Sequence, residues 1–299
     1  MVKSTSYLFF FISFGNFLSV YFIFQNDLRN DGRSKQDYRP IELELDIVTH
    51  ANGSARVRLA NTDILVGVKT EIDVPTSNRP EEGKIEFFVD CSANATPEFE
   101  GKGGQDLATE IGNYLGSSFA SPLSFDLKPL CILKGVQCWK LYVDILILEC
   151  GGNLFDAVSL AVKAALYNTM VPRVETVAMD GGNVDLQLSG DPFDCWRLDI
   201  TNIPCLVTLT KIGEHLIVDP TAEEEECSMA SLVVAVTESG RINSLCKTSV
   251  GSLHPQTLTD ALKVGVEVGV GLNKALNEAL GREEKRLQSN KPERFGFLK

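Results

Sequence analysis

Apolar and polar positions alternate over residues 41–48, with Ile41, Leu43, Leu45 and Ile47 on one face and Glu42, Glu44 and Asp46 on the other. That is the pattern of a half-exposed strand. Ala55, Val57 and Leu59 repeat it opposite Arg56 and Arg58, and Asn61, Thr62 and Asp63 make the turn into a further strand over 64–68. A polar loop over 75–83 leads to a strand at 85–89, and these strands together predict a twisted antiparallel sheet. Residues 105–115 read as the first long helix. Residues 139–149 form a near-continuous apolar run, the signature of a strand buried on both faces.

That run ends in Gly151-Gly152, and Phe155, Val158, Ala161, Val162, Ala165 and Leu166 then recur at helical spacing up to Pro172, which is expected to end the helix. A strand that feeds a helix through glycines can hold an anion on the helix's first N–H groups. Asp156 stands in that first turn, where a carboxylate would satisfy those donors itself. A self-capped buried helix and a ligand site are both open on this pattern.

After Pro172, short strands are predicted at 184–188, 196–200, 205–210 and 216–218, and a buried one at 228–237. A helix follows over 255–280, whose Gly265 and Gly269 allow close approach of a neighbour. The charged stretch 283–299 is expected to fray. The boundaries implied are a leader at 1–26, a first domain at 27–190, a second at 191–280 and a tail at 281–299. Both halves read as a sheet with helices on one face, an α+β pseudo-repeat.

Composition restricts the chemistry. A formal net charge of -12 argues against a broad basic surface, so any nucleic-acid contact must be local or shared with partners. The eight cysteines include no C-x-x-C pair, and the three histidines are scattered, so no zinc-site spacing and no Cys/His or Ser/His nucleophile constellation emerges. No phosphate-loop string exists. Asp219 with Glu223, Glu224, Glu225 and Glu226 is the strongest acidic group, and such carboxylates could hold Mg²⁺ beside a phosphodiester. Consecutive glutamates at a helix start are more often a solvated run that favours the dipole. No metal or cofactor is expected.

Several strings carry a resemblance. They are D-L-R-N-D-G-R (27–33), G-S-A-R-V (53–57), F-F-V-D-C-S-A (87–93), P-E-F-E-G-K-G-G (97–104), G-G-N-L-F-D-A (151–157) and V-D-P-T-A-E-E-E (218–225). Together they make the chain resemble the ribonuclease PH family, and within it the ring subunits of the eukaryotic RNA exosome. The resemblance implies a two-part RNase PH-like fold, a ribosomal protein S5 domain 2-like half followed by a second RNase PH domain. It implies related ring subunits, cap subunits, an associated nuclease and single-stranded RNA as partners, and the nucleus, nucleolus and cytoplasm as compartments.

The same resemblance bears on activity. Active relatives carry G-G-x-R-T-A after the central strand, whose Arg and hydroxyl hold the attacking phosphate; Asn153, Leu154, Phe155 and Asp156 fill that interval here. An Asp of the following strand in active members is matched, without gaps, by Ser231. The first helix resembles one that carries an arginine row in catalytic relatives, and here offers Gly112, Asn113, Gly116 and Ser117. The implied role is a non-catalytic ring subunit that scaffolds the complex and helps thread RNA for 3′ to 5′ processing. The alternative is an active phosphorolytic exoribonuclease. Lys102, in G-K-G-G, is the single candidate for RNA contact.

The leader stands apart. Tyr7 to Phe24 is almost wholly apolar, near the low end of a membrane span of roughly 17–25 residues. Gly15, Asn16 and Ser19 interrupt it, and the charged helix that precedes the D-L-R-N-D-G-R string in the resembled family is missing. A variant start is expected in preference to a membrane anchor.

Overall fold

The computed structural model describes residues 29–101, 103–178, 184–188, 191, 194–248 and 251–289. The leader, Lys102 and the end of the tail lie outside them. In chain order the strands of the first half are β1 (Ile41–Leu45), β2 (Gly53–Leu59), β3 (Thr62–Asp73), β4 (Lys84–Cys91), β5 (Cys131–Leu133) and β6 (Gln137–Glu149). They build one sheet in the order β1-β2-β3-β6-β4, with β5 folded back onto β6.

Every pairing in this sheet is antiparallel except β4 on β6, which is parallel. The sheet is therefore mixed, which corrects the antiparallel expectation. The connection from β4 to β6 contains helix α1 (Gly103–Phe119), long enough to bring the chain back in the same direction.

Helix α2 (Leu154–Asn168) lies between two sheets. It packs on β2 and β3 from one side and on β11 (Cys205–Ile212) from the other. Twelve of its fifteen residues are buried, which explains its Ala- and Val-rich sequence: a helix enclosed on two sides needs small apolar residues nearly all round. Ala55, Val57, Leu59, Ile64, Val66 and Val68 face it with no exposure, joined by Leu141, Val143 and Ile147 of β6.

Among the described residues no layer packs on the other face of β6. Tyr142 and Leu146 are half-buried and Asp144 is exposed, so β6 is covered on one side, not two as its apolar run suggests. Pro172 does not end α2 either. Thr169 leaves the helix in extended conformation, its Oγ1 donating to the Ala165 carbonyl, and Met170–Pro172 continues as β7.

Hairpin β8 (Val174–Ala178) and β9 (Val184–Leu188) follows, and β10 (Cys195–Arg197) returns to pair with β7. The second sheet runs β12-β11-β13-β14, all antiparallel, where β12 is His215–Val218, β13 Ala230–Val236 and β14 Ile242–Lys247. β13 is buried at every residue, as its sequence predicts, whereas the largely polar edge strand β14 was not legible. A short helix α3 (Ala222–Glu226) joins β12 to β13. Helix α4 (Pro255–Ser289) packs on β11 and β13 and reaches β1. It continues past 280 into the stretch expected to fray, held there by Leu280, Glu283 and the Glu284 contacts to Tyr167 and Arg197.

The small residues of α4 do what their spacing implies. A Cβ at Gly269 would stand 2.7 Å from Val236 Cβ, whereas one at Gly271 would meet nothing. Gly269→Val is therefore expected to destabilise the fold by about 2–3 kcal/mol through overpacking. Gly271→Ala should stabilise it by up to about 1 kcal/mol through helix propensity alone. Urea denaturation of the two variants checks the pair; equal effects would refute the packing account.

Candidate functional site

The Gly151-Gly152 turn closes against the connection from β12 into α3. Gly152 has φ +95°, and a Cβ there would lie 2.5 Å from the Ala222 nitrogen, so glycine is required both for conformation and for approach. Ala222 N–H donates to the Gly151 carbonyl, and the turn's two carbonyls accept from Arg39 at 2.8 and 3.0 Å. Asn153 follows at φ 54° as the first residue outside α2, without capping the helix by its side chain.

Asp156 does not cap the helix donors either, contrary to the sequence reading. Its carboxylate turns across to β11, where it accepts from Thr208 N–H at 3.1 Å and Thr208 Oγ1 at 2.7 Å. Tyr38 Oη (2.8 Å) and Asn153 Nδ2 (2.9 Å) complete the set. Asp156 is fully buried and none of these partners is charged. Burial pushes its carboxyl up to about 6, against the lowering effect of the Asn153, Thr208 and Tyr38 hydrogen bonds.

Asp219, also fully buried, receives the other hydrogen of the Asn153 amide at 2.7 Å. Its Oδ2 accepts from Arg33 Nη1 (2.9 Å), Arg39 N–H (2.8 Å) and Arg39 Nε (3.0 Å), and its Oδ1 from Arg39 Nη2 (2.9 Å). Arg29, with no side-chain exposure, donates to both oxygens of Glu224 and to the carbonyls of Val218 and Asp219. Glu224 in turn closes a capping box with Thr221 at the start of α3.

The acidic run thus divides. Asp219 and Glu224 are buried ion-pair partners, neither metal ligands nor a solvated face, which corrects the reading of the whole run as solvated. Glu223, Glu225 and Glu226 are exposed. Glu225 accepts from Asn153 N–H at 2.8 Å. Solvent reaches Glu225 although protein mass crowds its carboxylate. Its carboxyl is pushed up, by desolvation first and then by the Asp156 and Asp219 charges.

Ser231 sits on β13 opposite Thr210, their hydroxyls 3.1 Å apart in a buried pair. Leu154 is buried, and Phe155 meets the Tyr114 ring edge-on at 6.0 Å. Helix α1 carries no Lys or Arg along its length, and Asn113, Gly116 and Ser117 lie on its exposed side. Among the described residues no group of three or more His, Cys, Asp or Glu side chains converges for a metal.

Sequence reasoning missed Arg29, Arg33 and Arg39 as parts of this centre. Their signal was the Arg- and Asp-rich turn around Gly32, which was read for its resemblance and not for its charge. Replacing Asp219 by Asn would leave Arg33 and Arg39 facing a neutral group in a buried place, so Asp219→Asn should cost about 3–5 kcal/mol in denaturant unfolding. A loss below 1 kcal/mol would show the network to be dispensable.

Asp156 generates a pH prediction with a definite sign. Between 3.8, its ordinary value, and about 6, the folded chain holds this proton and the unfolded chain does not. Its contribution to stability therefore falls as pH rises through that window, by up to ~1.4 kcal/mol per pH unit. The wild-type profile minus that of Asp156→Asn should show this decline in urea denaturation; a flat or rising difference contradicts it.

Residues 37–172 match the 3′ exoribonuclease family, domain 1 (RNase PH), and residues 202–268 match domain 2 of the same family. The chain is 35% identical over 285 residues to a Dictyostelium discoideum protein named as an exosome complex exonuclease RRP42, with 80% of this chain and 88% of that one covered. It is 36% identical over 239 residues to the exosome complex component Rrp42 of Methanopyrus kandleri, with 80% and 87% covered. Among solved structures, a chain of the Archaeoglobus fulgidus exosome with RNA bound to the active site superposes with a TM-score of 0.77 at 25% identity, covering 89% of this chain and 99% of that one.

Proposed function

This chain belongs to the RNase PH family of 3′ exoribonucleases, and we propose that it is a non-catalytic ring subunit of the RNA exosome. It would pack with related RNase PH-like subunits, beneath cap subunits and beside a separate nuclease, and help guide single-stranded RNA toward that nuclease. As part of the same proposal, the protein works in the nucleus, nucleolus and cytoplasm. No helix among the described residues is long and apolar enough to cross a membrane.

One observation supports the loss of activity: among the described residues, Arg29, Arg33 and Arg39 around the Gly151-Gly152 turn are engaged by the protein's own carboxylates. Arg39 and Arg33 are held by Asp219, and Arg29 by Glu224. Phosphorolysis requires inorganic phosphate held by a cation, and the interval 153–156 supplies an amide, two apolar side chains and a carboxylate that faces away into the second sheet. The hydroxyl of Ser231 cannot replace a charged metal ligand. Loss of one preorganised electrostatic contact costs about 10²–10³ in rate, so loss of both would bring turnover near background.

The purified chain, given Mg²⁺, phosphate and a single-stranded RNA, is expected to release no nucleoside diphosphate. Glu225→Gln, which changes the exposed carboxylate nearest the turn, should leave exosome-dependent RNA decay unchanged. Phosphate-dependent shortening of RNA by the isolated chain, abolished by Glu225→Gln, would instead support the phosphorolytic enzyme.

A further inference from the structure

Two of the chain's eight cysteines stand opposite each other. Cys131 on β5 and Cys138 on β6 are direct Cα partners across an antiparallel pair. The other cysteines that lie in strands are opposed by different residues: Cys91 by Ile147, Cys195 by Pro172, Cys205 by Val236 and Cys246 by Val233. Residues directly opposed on antiparallel strands have Cα atoms about 4.5–5.5 Å apart and side chains on the same face. A disulfide spans Cα separations of about 4.4–6.8 Å, so the backbone already places the two thiols within bonding range.

We propose that Cys131 and Cys138 form a reversible dithiol–disulfide couple, a modification site at the free end of the β5·β6 hairpin that low-molecular-weight disulfides oxidise.

The two positions are unequal, and this sets the order of events. Cys138 is fully buried, whereas Cys131 is partly exposed, its Sγ 3.9 Å from the Pro80 carbonyl. Cys131 is the sulfur an oxidant can reach. Its thiolate attacks one sulfur of a disulfide R–S–S–R, forming Cys131–S–S–R and releasing RS⁻, which takes up a proton. The Cys138 thiolate then attacks Cys131 Sγ, closing the internal bond and expelling the second RS⁻. In sum two thiols and one R–S–S–R give one internal disulfide and two R–SH, with both electrons accepted by the external disulfide.

Lys84 and Asp73 lie near the buried thiol. Burial pushes the Cys138 thiol up, Lys84 opposes that, and Asp73 and Cys131 add to it, so the closing attack gains speed as pH rises. The strand register slips between Cys131 and Leu133, which gives β5 the slack to adjust as the bond forms.

Lys134 stands between the two cysteines, so trypsin separates them unless they are bridged. The native full-length chain, treated with oxidised glutathione and alkylated before digestion, should lose two of its eight alkylatable thiols. The peptides carrying Cys131 and Cys138 should be recovered joined, and excess reduced thiol should separate them. Cys138→Ser should trap Cys131 as a stable glutathione adduct, and Cys131→Ser should leave Cys138 reduced in the folded chain. Bridging seen only after denaturation would overturn the proposal. So would a native protein that carries the adduct on Cys131 while Cys138 stays reduced, or a bridge from Cys131 to a different cysteine.

Discussion

A buried carboxylate is costly to keep charged unless partners compensate it, and Asp219 is where this fold meets that constraint with cations. Its two oxygens gather Arg33 and Arg39 from the N-terminal segment and Asn153 from the start of α2, while its own carbonyl receives Arg29. Two separated stretches are thereby tied to the turn between β12 and α3. Arg39 extends the tie to the Gly151-Gly152 carbonyls, and Asn153 extends it to Asp156 and through that to β11. Removing the carboxylate would strand the guanidinium groups, a far larger loss than that of any surface pair. The first sheet, α2 and the second sheet consequently have one relative arrangement at this end of the molecule.

About two and a half turns along α2 a different device does the same work. Lys163 is fully buried, and its amine donates to the Ile203 carbonyl at 2.8 Å and to Asn273 Oδ1 at 2.6 Å. Asn273, on α4, spends its own donors on the Val236 and Gly269 carbonyls. The helix is thus pinned by polar groups at its start and again at Lys163, with apolar side chains between. One continuous core runs from β2 through α2 to β13. The second half shares that core and has no separate one of comparable size.

Local periodicity revealed most elements because each buries one definite face. The misses have physical reasons. β6 reads as doubly buried because Tyr142, Leu146 and Leu148 are apolar on a face where the described residues leave them only half-buried. The parallel pairing of β4 is set by where α1 returns the chain, which no local pattern encodes. Glu224 looked like part of a solvated run because its partner Arg29 lies 195 residues away. Cys131 and Cys138 become a pair only once β5 is seen to fold back on β6. Lys102, the contact candidate, lies outside the described residues.

The network that fixes the fold also bears on chemistry under the proposed reading. An incoming phosphate could reach a cation here only by taking Arg33 or Arg39 from Asp219. That would leave a buried carboxylate uncompensated, at a cost of about 3–5 kcal/mol. Millimolar binding of a free anion supplies only about 4 kcal/mol in total. The two terms nearly cancel, so phosphate would gain no net hold on this turn at concentrations where a phosphorolytic enzyme must work. Under that reading these guanidinium groups tie the N-terminal segment to the Gly151-Gly152 turn and to α3 instead of holding an anion.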